Sequence, residues 1–589
     1  MFQTFTETAS ADTGPARLQA LRAAMAGADV DGFLIPRSDA FQGEYVAPCD
    51  ERLAWLTGFT GSAGWGVALA ERAAVFVDGR YRVQVKAQVA DVFEPVDWPE
   101  ISLGDWISAA MPDGVMGFDP WLLTVEQKRG LDKKGIALRP VPNLVDAIWE
   151  DRPAPPMGKV FAQPVALSGE AHVDKITRLA GGLGKARAAV VTLPDSIAWL
   201  LNIRGSDIPK NPVPHGFAIL HADARVTLFM ADEKLSDVRD HLGDAVTVEP
   251  VEAFEEALRA LQGPVRIEPG TCPVAVVDAL EGREIIEADD PCVLPKARKN
   301  TVELEGSRAA HLRDAAAMVR FLAWLDREAP GDLSEIAVVK QLEEERRATN
   351  ALRDISFDTI SGSGPNGAIV HYRVTEATDR PLKAGELLLV DSGGQYVDGT
   401  TDITRTVSIG EVGEEEKRNF TLVLKGMIAI SRLRFPKGMA GRDIDPFARH
   451  ALWQAGLDYG HGTGHGVGSY LCVHEGPARI SRAGTVPFEP GMILSNEPGF
   501  YREGAYGIRI ENLVVVEEAP TLPGQTIAQQ YRFETLTWVP IDRRLIVPDM
   551  LTMEERDWLN AYHREVEAKV APLVDDVAGG WLSDACRGI

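Results

Sequence analysis

The sequence predicts two related α/β domains followed by a larger α+β domain. Its 589 residues exceed what one hydrophobic core supports. A short residue pattern recurs within the first half of the chain, and the texture changes near residue 301, where a long helical pattern precedes strand-rich stretches. We therefore expect domains over residues 1–157, 158–300 and 301–589.

The first domain is expected to follow a polar, mobile segment that ends near Gly14. Residues 16–25 have the spacing of an amphipathic helix, and residues 32–35 form an apolar run typical of a strand. The passage AWLTGFTGSAGWGVAL then leads into a further strand, AAVFVDGRYR. This mixture of strands and helices indicates an α/β domain.

The second domain repeats the first. Ala-Trp-Leu at residues 54–56 and Gly-Ser at 61–62 recur at 198–200 and 205–206, every position displaced by 144 residues. Each copy is followed by a glycine-containing apolar strand, GWGVAL or HGFAIL, and then by another strand. The shared context favours a duplicated domain over coincidence. The second copy ends at DDPCVLPKARKN, whose proline and basic residues are typical of a linker.

The third domain opens with a helix over residues 303–328, whose apolar positions recur at helical spacing. Asp332 and Glu335 resemble a capping box that opens the next helix, and Thr552 and Glu555 resemble another near the end of the chain. Further elements are expected as strand-rich stretches at 355–374, 385–409 and 459–517 and as helices at about 414–433 and 442–456. This pattern predicts an α+β domain with a C-terminal extension.

Charge and cysteine usage exclude several classes of partner and compartment. The net charge of −25 argues against nucleic acid and anionic membrane as partners, because an acidic surface gains nothing from meeting either. No run of 18 apolar residues could cross a bilayer, and MFQTFTETASADTG lacks the basic start and apolar core of a secretory signal. Five scattered cysteines without a CxxC motif fit a reducing compartment. We therefore predict a cytoplasmic protein.

Two pairs of carboxylates share one sequence pattern. Asp391 and Asp402 flank a turn centred midway between them, and Glu497 and Glu511 flank a turn centred on Gly504. A hairpin places such flanking residues opposite each other, with side chains about 5 Å apart. Four buried carboxylates this close repel one another or bind protons unless cations lie between them. Either pair alone is better interpreted as an ordinary acidic hairpin near the surface.

The segment GHGTGHGVG has glycine at every second position from Gly460 to Gly468. Glycine costs a helix about 1 kcal/mol per residue, which excludes a zinc-binding helix of the HExxH type here. As a strand, the segment points His461 and His465 to one face and leaves the other face bare, so another backbone can approach closely. At about 3.3 Å per residue the two histidines lie about 13 Å apart, so at most one is expected to be a metal ligand.

Two aspartates, two glutamates and one histidine form an oxygen-rich donor set. Four carboxylates balance the charge of two divalent ions, which predicts a dinuclear site. Such ligands favour Mn²⁺ or Mg²⁺, with Zn²⁺, Co²⁺ and Fe²⁺ as alternatives. Two ions about 3.5–4 Å apart can share a hydroxide, lower its pKa and polarise a carbonyl, which is hydrolytic chemistry.

The blocks DSGGQYVDGTTDITRT, GHGTGHGVGSYLCVHEGP, SNEPGFY and GIRIEN resemble the signature motifs of the pita-bread (creatinase/aminopeptidase-like) metallopeptidases. Within that family the chain is similar to the long, three-domain cytosolic aminopeptidases P. The similarity extends through both N-terminal copies and into RFETLTWVPIDRRLI. The resemblance implies two α/β N-terminal domains followed by an α+β pita-bread catalytic domain.

The resemblance also implies a complete set of metal ligands, with no position substituted: Asp391, Asp402, His465, Glu497 and Glu511. Asp402 and Glu511 would bridge two divalent ions. Mn²⁺ is the expected metal, with Zn²⁺ or Co²⁺ as alternatives. Glu497 would also handle a proton during catalysis.

Further residues are implied in catalysis or substrate binding. His371, in IVHYRV, and His474, in CVHEGP, would hold the scissile carbonyl and stabilise the tetrahedral intermediate, and His461 would line the prolyl side of the pocket. Each histidine taken alone could be an ordinary structural residue. Arg509 lies two residues before Glu511 on one strand face, where it can brace the acidic cluster. Arg80, in VDGRYR, is a further candidate for substrate binding.

The implied reaction releases the N-terminal residue from peptides with proline in second position, by attack of a hydroxide shared between the two ions. A prolyl nitrogen carries no hydrogen, so specificity must come from an apolar slot shaped to the ring. Prolidase, which accepts only dipeptides, is the nearest alternative, and a non-catalytic pita-bread binding protein is another. The duplicated domains and the C-terminal extension favour aminopeptidase P, and the resemblance implies a homodimer.

Overall fold

The computed structural model describes residues 1–589, which divide into two compact units. One unit is Thr8–Val293, and the other is Met1–Glu7 together with Leu294–Ile589. The expectation of a mobile segment before Gly14 is wrong. Met1–Glu7 packs against residues of Leu294–Ile589 through backbone and side-chain hydrogen bonds. Ala11–Thr13 forms a short 3-10 helix.

The first half of the unit Thr8–Val293 is built on a six-stranded sheet. The expected helix and strand at its start are present as α1 (Gly14–Gly27) and β1 (Gly32–Pro36). The elements that follow are α2 (Arg52–Thr57), β2 (Trp65–Leu69), β3 (Ala73–Val77), α3 (Arg82–Gln88), β4 (Glu94–Asp97), α4 (Leu103–Ala110), β5 (Val115–Phe118), α5 (Val125–Asp132) and β6 (Ala137–Pro140). The strand order is β4-β3-β2-β1-β5-β6.

The second half of this unit has its own six-stranded sheet. Its elements are β7 (Phe161–Ala162), α6 (Val165–Ser168), α7 (His172–Gly181), β8 (Ala188–Val191), α8 (Pro194–Leu200), β9 (Ile203–Arg204), β10 (Phe217–His221), β11 (Val226–Phe229), α9 (Arg239–Leu242), β12 (Val246–Glu249), α10 (Phe254–Ala260), β13 (Val265–Ile267), α11 (Val274–Ala279) and β14 (Ile285–Glu287). The strand order is β12-β11-β10-β8-β13-β14.

The two sheets share one topology, which confirms the duplicated α/β domains. In each sheet the first long strand, β1 or β8, is antiparallel to the next long strand and parallel to a later one, β5 or β13. The repeated Ala-Trp-Leu lies on a short helix in both copies, α2 and α8, whose Leu56 and Leu200 are buried. The boundaries near residues 157 and 300 remain a prediction.

The unit that contains Leu294–Ile589 has seven helices. They are α12 (Val293–Ala297), α13 (Thr301–Glu328), α14 (Glu335–Arg347), α15 (Glu414–Ser431), α16 (Gly441–Gln454), α17 (Met553–Val570) and α18 (Asp576–Ala585). The capping box of Thr552 and Glu555 opens α17 as predicted. The one expected at Asp332 is wrong, because Ser334 caps α14 by accepting the Ala337 N–H at its hydroxyl.

The strands of this unit form one six-stranded sheet and several smaller ones. They are β15 (Asp354–Ile355), β16 (Ile360–Ser363), β17 (Glu386–Ser392), β18 (Gly394–Tyr396), β19 (Gly399–Thr400), β20 (Ile403–Ile409), β21 (Arg434–Pro436), β22 (Gly464–Gly466), β23 (Glu475–Ile480), β24 (Ile493–Asn496), β25 (Gly499–Arg502), β26 (Tyr506–Arg509), β27 (Asn512–Glu518) and β28 (Gln530–Thr535). The large sheet has the order β21-β28-β27-β24-β22-β23, and β16-β17-β20 forms a second sheet.

Helices cover these sheets and bury an apolar core between them. Side chains of α13, α15 and α17 pack with β17 and β20 around residues such as Phe321, Val423 and Leu388. No helix of the structure is both long and apolar enough to span a bilayer. All five cysteines are free thiols.

Candidate metal centre and active site

The first carboxylate pair lies on the β17–β20 hairpin in a register that differs from the expected one. Asp391 pairs with Thr404 rather than with Asp402. The inner ladder closes at Tyr396 opposite Gly399, so the turn is centred later in the chain than predicted. Since side chains on one strand face recur every second residue, Asp402 still shares the face of Thr404 and lies diagonal to Asp391.

The second carboxylate pair has the predicted register. Asn496 pairs with Asn512, and Gly499 pairs with Arg509. These two pairs bracket Glu497 and Glu511 in one continuous alignment, with the turn centred on Gly504 as predicted. The ends of β24 and β27 therefore bring both glutamates to one place.

The glycine-rich segment forms a much shorter strand than expected, because only β22 is regular and its ladder is irregular between His465 and Gly466. The close backbone approach is confirmed. A Cβ on Gly464 would lie 1.9 Å from the Ser495 carbonyl oxygen, and one on Gly466 would lie 2.2 Å from that of Glu475. Glycine thus allows β22 to enter the sheet between β23 and β24 and to present His465.

The polar ends of these strands converge on one cluster. Donor atoms of Asp402, His465 and Glu511 all lie within 4.8 Å of one another. His465 Nε2 is 3.5 Å from Asp402 Oδ2 and 3.3 Å from Glu497 Oε1. Asp391 is buried close enough to Asp402 and Glu497 for their charges to raise its pKa. The structure therefore brings together all five residues predicted as ligands.

Hydrogen bonds orient His465 for metal binding. Its Nδ1 lies 2.9 Å from the Gly466 carbonyl oxygen and donates to it, which leaves Nε2 as the ring nitrogen that faces the carboxylates. Its backbone N–H donates to Ser495 Oγ at 2.9 Å, and that hydroxyl donates to Glu497 Oε1 at 3.0 Å. This arrangement of a ring nitrogen fixed by a carbonyl is the one that metal-binding histidines use.

The electrostatics of the cluster call for cations. Burial and the neighbouring Asp402 raise the pKa of Asp391 to about 7 despite the opposing effect of Arg509, and burial likewise raises the pKa of Glu497. Burial and Asp402 raise the pKa of Glu511 well above its ordinary value. Burial opposes a charged imidazole, but Asp402 and Glu497 still raise the pKa of His465 to about 9. Groups this strongly perturbed in one place are typical of a functional site.

Two buried oxygen atoms of the cluster have no hydrogen-bond partner: Asp391 Oδ1 and Glu511 Oε1. A buried carboxylate oxygen without a partner costs free energy unless it binds a cation. The donor set therefore fits divalent metal ions, with oxygens and one imidazole nitrogen as ligands.

Arg509 connects the acidic cluster to an aromatic residue. Its Nη2 donates to Asp391 Oδ2 at 2.5 Å, its Nε to Thr404 Oγ1 at 3.1 Å and its Nη1 to Tyr501 Oη at 2.6 Å. Thr404 Oγ1 donates in turn to Glu511 Oε2 at 2.8 Å. The side chain of Arg509 is only 1% exposed, so the geometry supports bracing of the carboxylates.

His461 lies on the other side of Tyr501. Its Nδ1 is 2.8 Å from the Gly462 carbonyl oxygen, and its Nε2 is 2.9 Å from Tyr501 Oη. A chain of hydrogen bonds therefore runs from Asp391 through Arg509 and Tyr501 to His461. The ring of His461 is fixed beside the acidic cluster.

The other two histidines, His474 and His371, lie in different surroundings. The ring of His474 packs edge-on against that of His465, with ring centroids 4.3 Å apart. His371 is half-buried on the irregular segment that follows the 3-10 helix Gly364–Ala368. That helix approaches β26 closely, since a Cβ on Gly507 would lie 1.7 Å from the Gly367 carbonyl oxygen.

Arg80 lies in the unit Thr8–Val293. It forms a two-bond ion pair with Asp78, through Nε at 2.9 Å and Nη2 at 2.7 Å, and its guanidinium lies over the Tyr81 ring. A role for Arg80 in substrate binding remains a prediction.

Sequence reasoning missed three polar residues that organise the cluster: Thr404, Ser495 and Tyr501. Thr404 and Ser495 each lie two residues from a predicted ligand, on the same strand face, so strand periodicity could have found them. Tyr501 belongs to the SNEPGFY block. Its hydrogen bonds to His461 and Arg509 come from the β25–β26 hairpin and are not visible in the sequence.

Family models match the chain from near its start to its end. The Creatinase/Prolidase N-terminal domain matches residues 17–148 and again 151–303. Metallopeptidase family M24 matches residues 305–518, and the C-terminal region of peptidase M24 matches residues 529–589. The M24 match contains every predicted metal ligand.

Similarity to individual proteins extends over the full length. Proteins described as probable Xaa-Pro aminopeptidase P from Paracoccidioides lutzii and Coccidioides posadasii are 40% and 42% identical, each covering 96% of this chain and 98% of its own length. The chain belongs to the Xaa-Pro aminopeptidase P branch of metallopeptidase family M24.

Solved structures agree with this assignment. The X-prolyl aminopeptidase of Caenorhabditis elegans, described as a cytosolic enzyme with a di-nuclear active site, is 34% identical, covers 98% of this chain and all of its own, and superposes with a TM-score of 0.93. A prolidase from Pyrococcus horikoshii covers only 63% of the chain, with 22% identity and a TM-score of 0.50, and shows the fold alone. The third domain of this aminopeptidase P chain therefore has the pita-bread fold.

Proposed function

We propose that this chain is a metal-dependent aminopeptidase that releases the N-terminal residue from peptides with proline in second position. The observation that carries the proposal is the convergence of Asp402, His465 and Glu511 within 4.8 Å, in a chain whose whole length matches a di-nuclear X-prolyl aminopeptidase. The N-terminal copies and the C-terminal extension support this activity over that of prolidase, since the C. elegans X-prolyl aminopeptidase matches the chain through all of them.

Two divalent ions fit the site, and the proposed ligands are Asp391, Asp402, His465, Glu497 and Glu511. Asp402 and Glu511, whose donor atoms lie within 4.8 Å of each other and of His465, would be the central ligands of this set. Mn²⁺ is the proposed metal because oxygen donors dominate, and Zn²⁺ or Co²⁺ is the alternative outcome. When bound, such ions supply Lewis-acid polarisation of a carbonyl and lower the pKa of water.

The chain's own residues are proposed to move a proton and to neutralise developing charge. Glu497, whose Oε1 accepts a hydrogen bond from Ser495, is proposed to take a proton and return it to the leaving nitrogen. His474, packed against His465, and His371 are proposed to donate hydrogen bonds to the substrate's carbonyl oxygen as it becomes negative. The acidic cluster also attracts the positively charged amino terminus of a peptide.

His461 is proposed to line the prolyl side of the pocket. Its ring is fixed by the Gly462 carbonyl and by Tyr501. Because a prolyl nitrogen has no N–H, recognition of the second residue depends on shape, which a fixed ring supplies. Arg509 and Arg80 are proposed as supporting contacts for the substrate, Arg509 acting through Tyr501 and Asp391.

The proposed function is tested with metal-stripped protein to which Mn²⁺, Zn²⁺ or Co²⁺ is returned. We expect cleavage of a tripeptide with proline second, little cleavage of the matched tripeptide with alanine second, and the highest kcat/KM with Mn²⁺. Cleavage of an Xaa-Pro dipeptide alone would assign prolidase activity instead. No cleavage of either peptide with any metal restored would contradict the enzyme proposal.

We also propose a cytoplasmic homodimer. The five free thiols and the C. elegans enzyme described as cytosolic support the compartment. The C-terminal part of the catalytic domain is the proposed contact, and it carries exposed apolar side chains at Met553 and Val577. Light scattering on the purified protein should give twice the chain mass, and a monomer would contradict the dimer.

A further inference from the structure

The first seven residues, Met1–Glu7, form a segment that we name the strap. It belongs to the same compact unit as Leu294–Ile589. The strap begins on α14, where Glu343 accepts the backbone N–H groups of Phe2 at 2.7 Å and of Gln3 at 3.3 Å. Glu343 is 4% exposed and accepts both hydrogen bonds on a carboxylate, so both bonds are charge-assisted and the one from Gln3 is buried.

The side chain of Gln3 then docks the strap beside β16. Its Oε1 accepts the Thr359 N–H at 2.8 Å, and its Nε2 donates to the Thr359 carbonyl at 3.2 Å. Gln3 is 3% exposed, and the paired amide contact imitates one rung of a β-ladder. Ile360, which follows Thr359 in the chain, pairs with Asp391 in the β16–β17 ladder. The strap thus contacts the strand that lies beside the first predicted metal ligand.

The far half of the strap binds residues 371–376. The Phe5 carbonyl accepts the Glu376 N–H at 2.9 Å. The Arg373 guanidinium donates to the Thr4 carbonyl at 2.8 Å and to the Thr6 carbonyl at 3.3 Å. Three hydrogen bonds therefore join the strap's backbone to a segment that begins with His371.

Phe5 adds an apolar anchor to these polar contacts. Its ring is 9% exposed and belongs to a small buried cluster whose other members are Val339, Ile360, Tyr372, Val374 and Leu389. Burial alternates along this segment, since Tyr372 and Val374 are buried while His371 and Arg373 are half-buried, so packing of the first pair holds the backbone that carries the second. Residues 369–379 have no helix or strand of their own, and their order depends on such tertiary contacts.

We propose that the strap is a positioning element for His371, an inference that rests on the proposed function. The strap contacts the irregular segment in two ways: Phe5 packs with Tyr372, and the strap backbone is hydrogen-bonded to Arg373 and Glu376. It contacts none of the predicted metal ligands directly. Its loss should therefore lower turnover by misplacing one catalytic imidazole while the metal ions stay bound.

The test is a double-mutant cycle on the full-length, metal-loaded protein. The strap is weakened by the paired changes Gln3→Ala and Phe5→Ala, with and without His371→Ala. Thr6→Ala is the matched control, because its side chain is exposed and the carbonyl that Arg373 uses is retained. kcat and KM are measured on a tripeptide with proline second, and metal content is measured by mass spectrometry.

We expect the paired strap changes to lower kcat about ten- to a hundredfold, the cost of a displacement of roughly 1 Å in a catalytic group. KM and metal content should stay within about twofold of the unchanged protein, and the control should match it. In the His371→Ala background the same strap changes should lower kcat by less than about twofold, since residues that act through one another are not additive. An equal loss in both backgrounds, or no loss in the parent, would overturn the proposal.

Hydrogen exchange gives a second measurement that does not depend on activity. Weakening the strap should speed exchange at the amides of residues 372–376 and leave those of β17 unchanged. Unchanged exchange at 372–376 would overturn the proposal. If the parent protein cleaves no Xaa-Pro peptide at all, the proposed function fails, and this exchange result still decides whether the strap orders the segment.

Discussion

Arg509 Nη2 lies 2.5 Å from Asp391 Oδ2, so the guanidinium of Arg509 already neutralises one carboxylate oxygen of a predicted metal ligand. The other oxygen, Asp391 Oδ1, is buried without a hydrogen-bond partner. The two oxygens of Asp391 therefore have different roles: Oδ2 binds Arg509, and Oδ1 is available to a metal ion. Asp402 forms no ion pair with an arginine, so we expect metal ions to neutralise more of its charge than of the charge of Asp391.

Replacing Asp402 with asparagine should abolish both metal binding and activity. The change removes a negative charge from the centre of the three converging donors. We expect less than one bound ion per chain and a loss of kcat/KM of at least about a thousandfold, or about 4 kcal/mol of transition-state stabilisation. Asp398→Asn is the control, because Asp398 lies in the same turn but pairs with Arg313. A metal-loaded, active Asp402→Asn variant would refute the ligand assignment.

Replacing Arg509 with lysine should weaken catalysis without emptying the site. A lysine ammonium cannot reach Asp391, Thr404 and Tyr501 with the fixed fork of a guanidinium. Loss of an outer partner of this kind lowers metal affinity or activity about 10- to 100-fold. Metal titration and steady-state kinetics measure the change. Arg502→Lys on the same hairpin, which is exposed and pairs with Glu415, should change neither.

Glu475 should be more important for stability than either lysine that pairs with it. Lys296 Nζ lies 2.8 Å from one carboxylate oxygen, Lys299 contacts the other, and all three side chains are at most 2% exposed. Glu475→Gln breaks both buried pairs and should lower the free energy of unfolding by about 3–5 kcal/mol.

Lys299→Met should cost less than Glu475→Gln, because Lys296 still neutralises the carboxylate. Urea unfolding of the two variants measures the difference, and Glu489→Gln, which breaks only the exposed pair with Arg298, serves as the control. Equal losses from Lys299→Met and Glu475→Gln would show that the two ion pairs do not act separately.

His563 should make the protein less stable as the pH falls below neutrality. Burial lowers the pKa of His563 from 6.5 to about 3, and its Nε2 accepts the Ile541 N–H at 3.1 Å. Between these two pKa values the unfolded chain binds a proton that the folded chain does not, so this contribution is complete above pH 6.5 and declines toward pH 3.

The contribution amounts to about 2 kcal/mol between pH 7 and pH 5, from about 1.4 kcal/mol per unit of pH once the unfolded imidazole is protonated. His563→Asn should therefore flatten the dependence of the unfolding free energy on pH by that amount. The exposed His450→Asn should leave it unchanged. An unaltered slope in His563→Asn would mean that other groups control acid stability.

Much of the candidate site was predictable because strand periodicity and local turns determine it. Glu497 and Glu511 have the predicted register. Spacing predicted that at most one of His461 and His465 is a ligand, and the resemblance named His465, which lies among the carboxylates. The Asp391 register was wrong because the inner ladder closes later than the midpoint of the two aspartates. Four carboxylates still converge, since the error preserves the strand face.

Other features depend on contacts between distant parts of the chain. The hydrogen bonds of Tyr501 with His461 and Arg509 join residues from separate strands, and no local pattern specifies them. The docking of Gln3 against Thr359 spans 356 residues of sequence. A polar N-terminal stretch has the composition of a mobile tail, and only the tertiary structure provides its buried partners.

The strap also has a consequence for synthesis on the ribosome. Met1–Glu7 is translated before its partners on α14, at Thr359 and at Arg373, which follow 341 to 369 residues later. At about 5–20 residues per second, the strap must wait for tens of seconds. By then the unit Thr8–Val293 has been fully translated, so docking of the strap is a late step in assembly. A ribosome that stops before residue 343 leaves the strap without its docking partners.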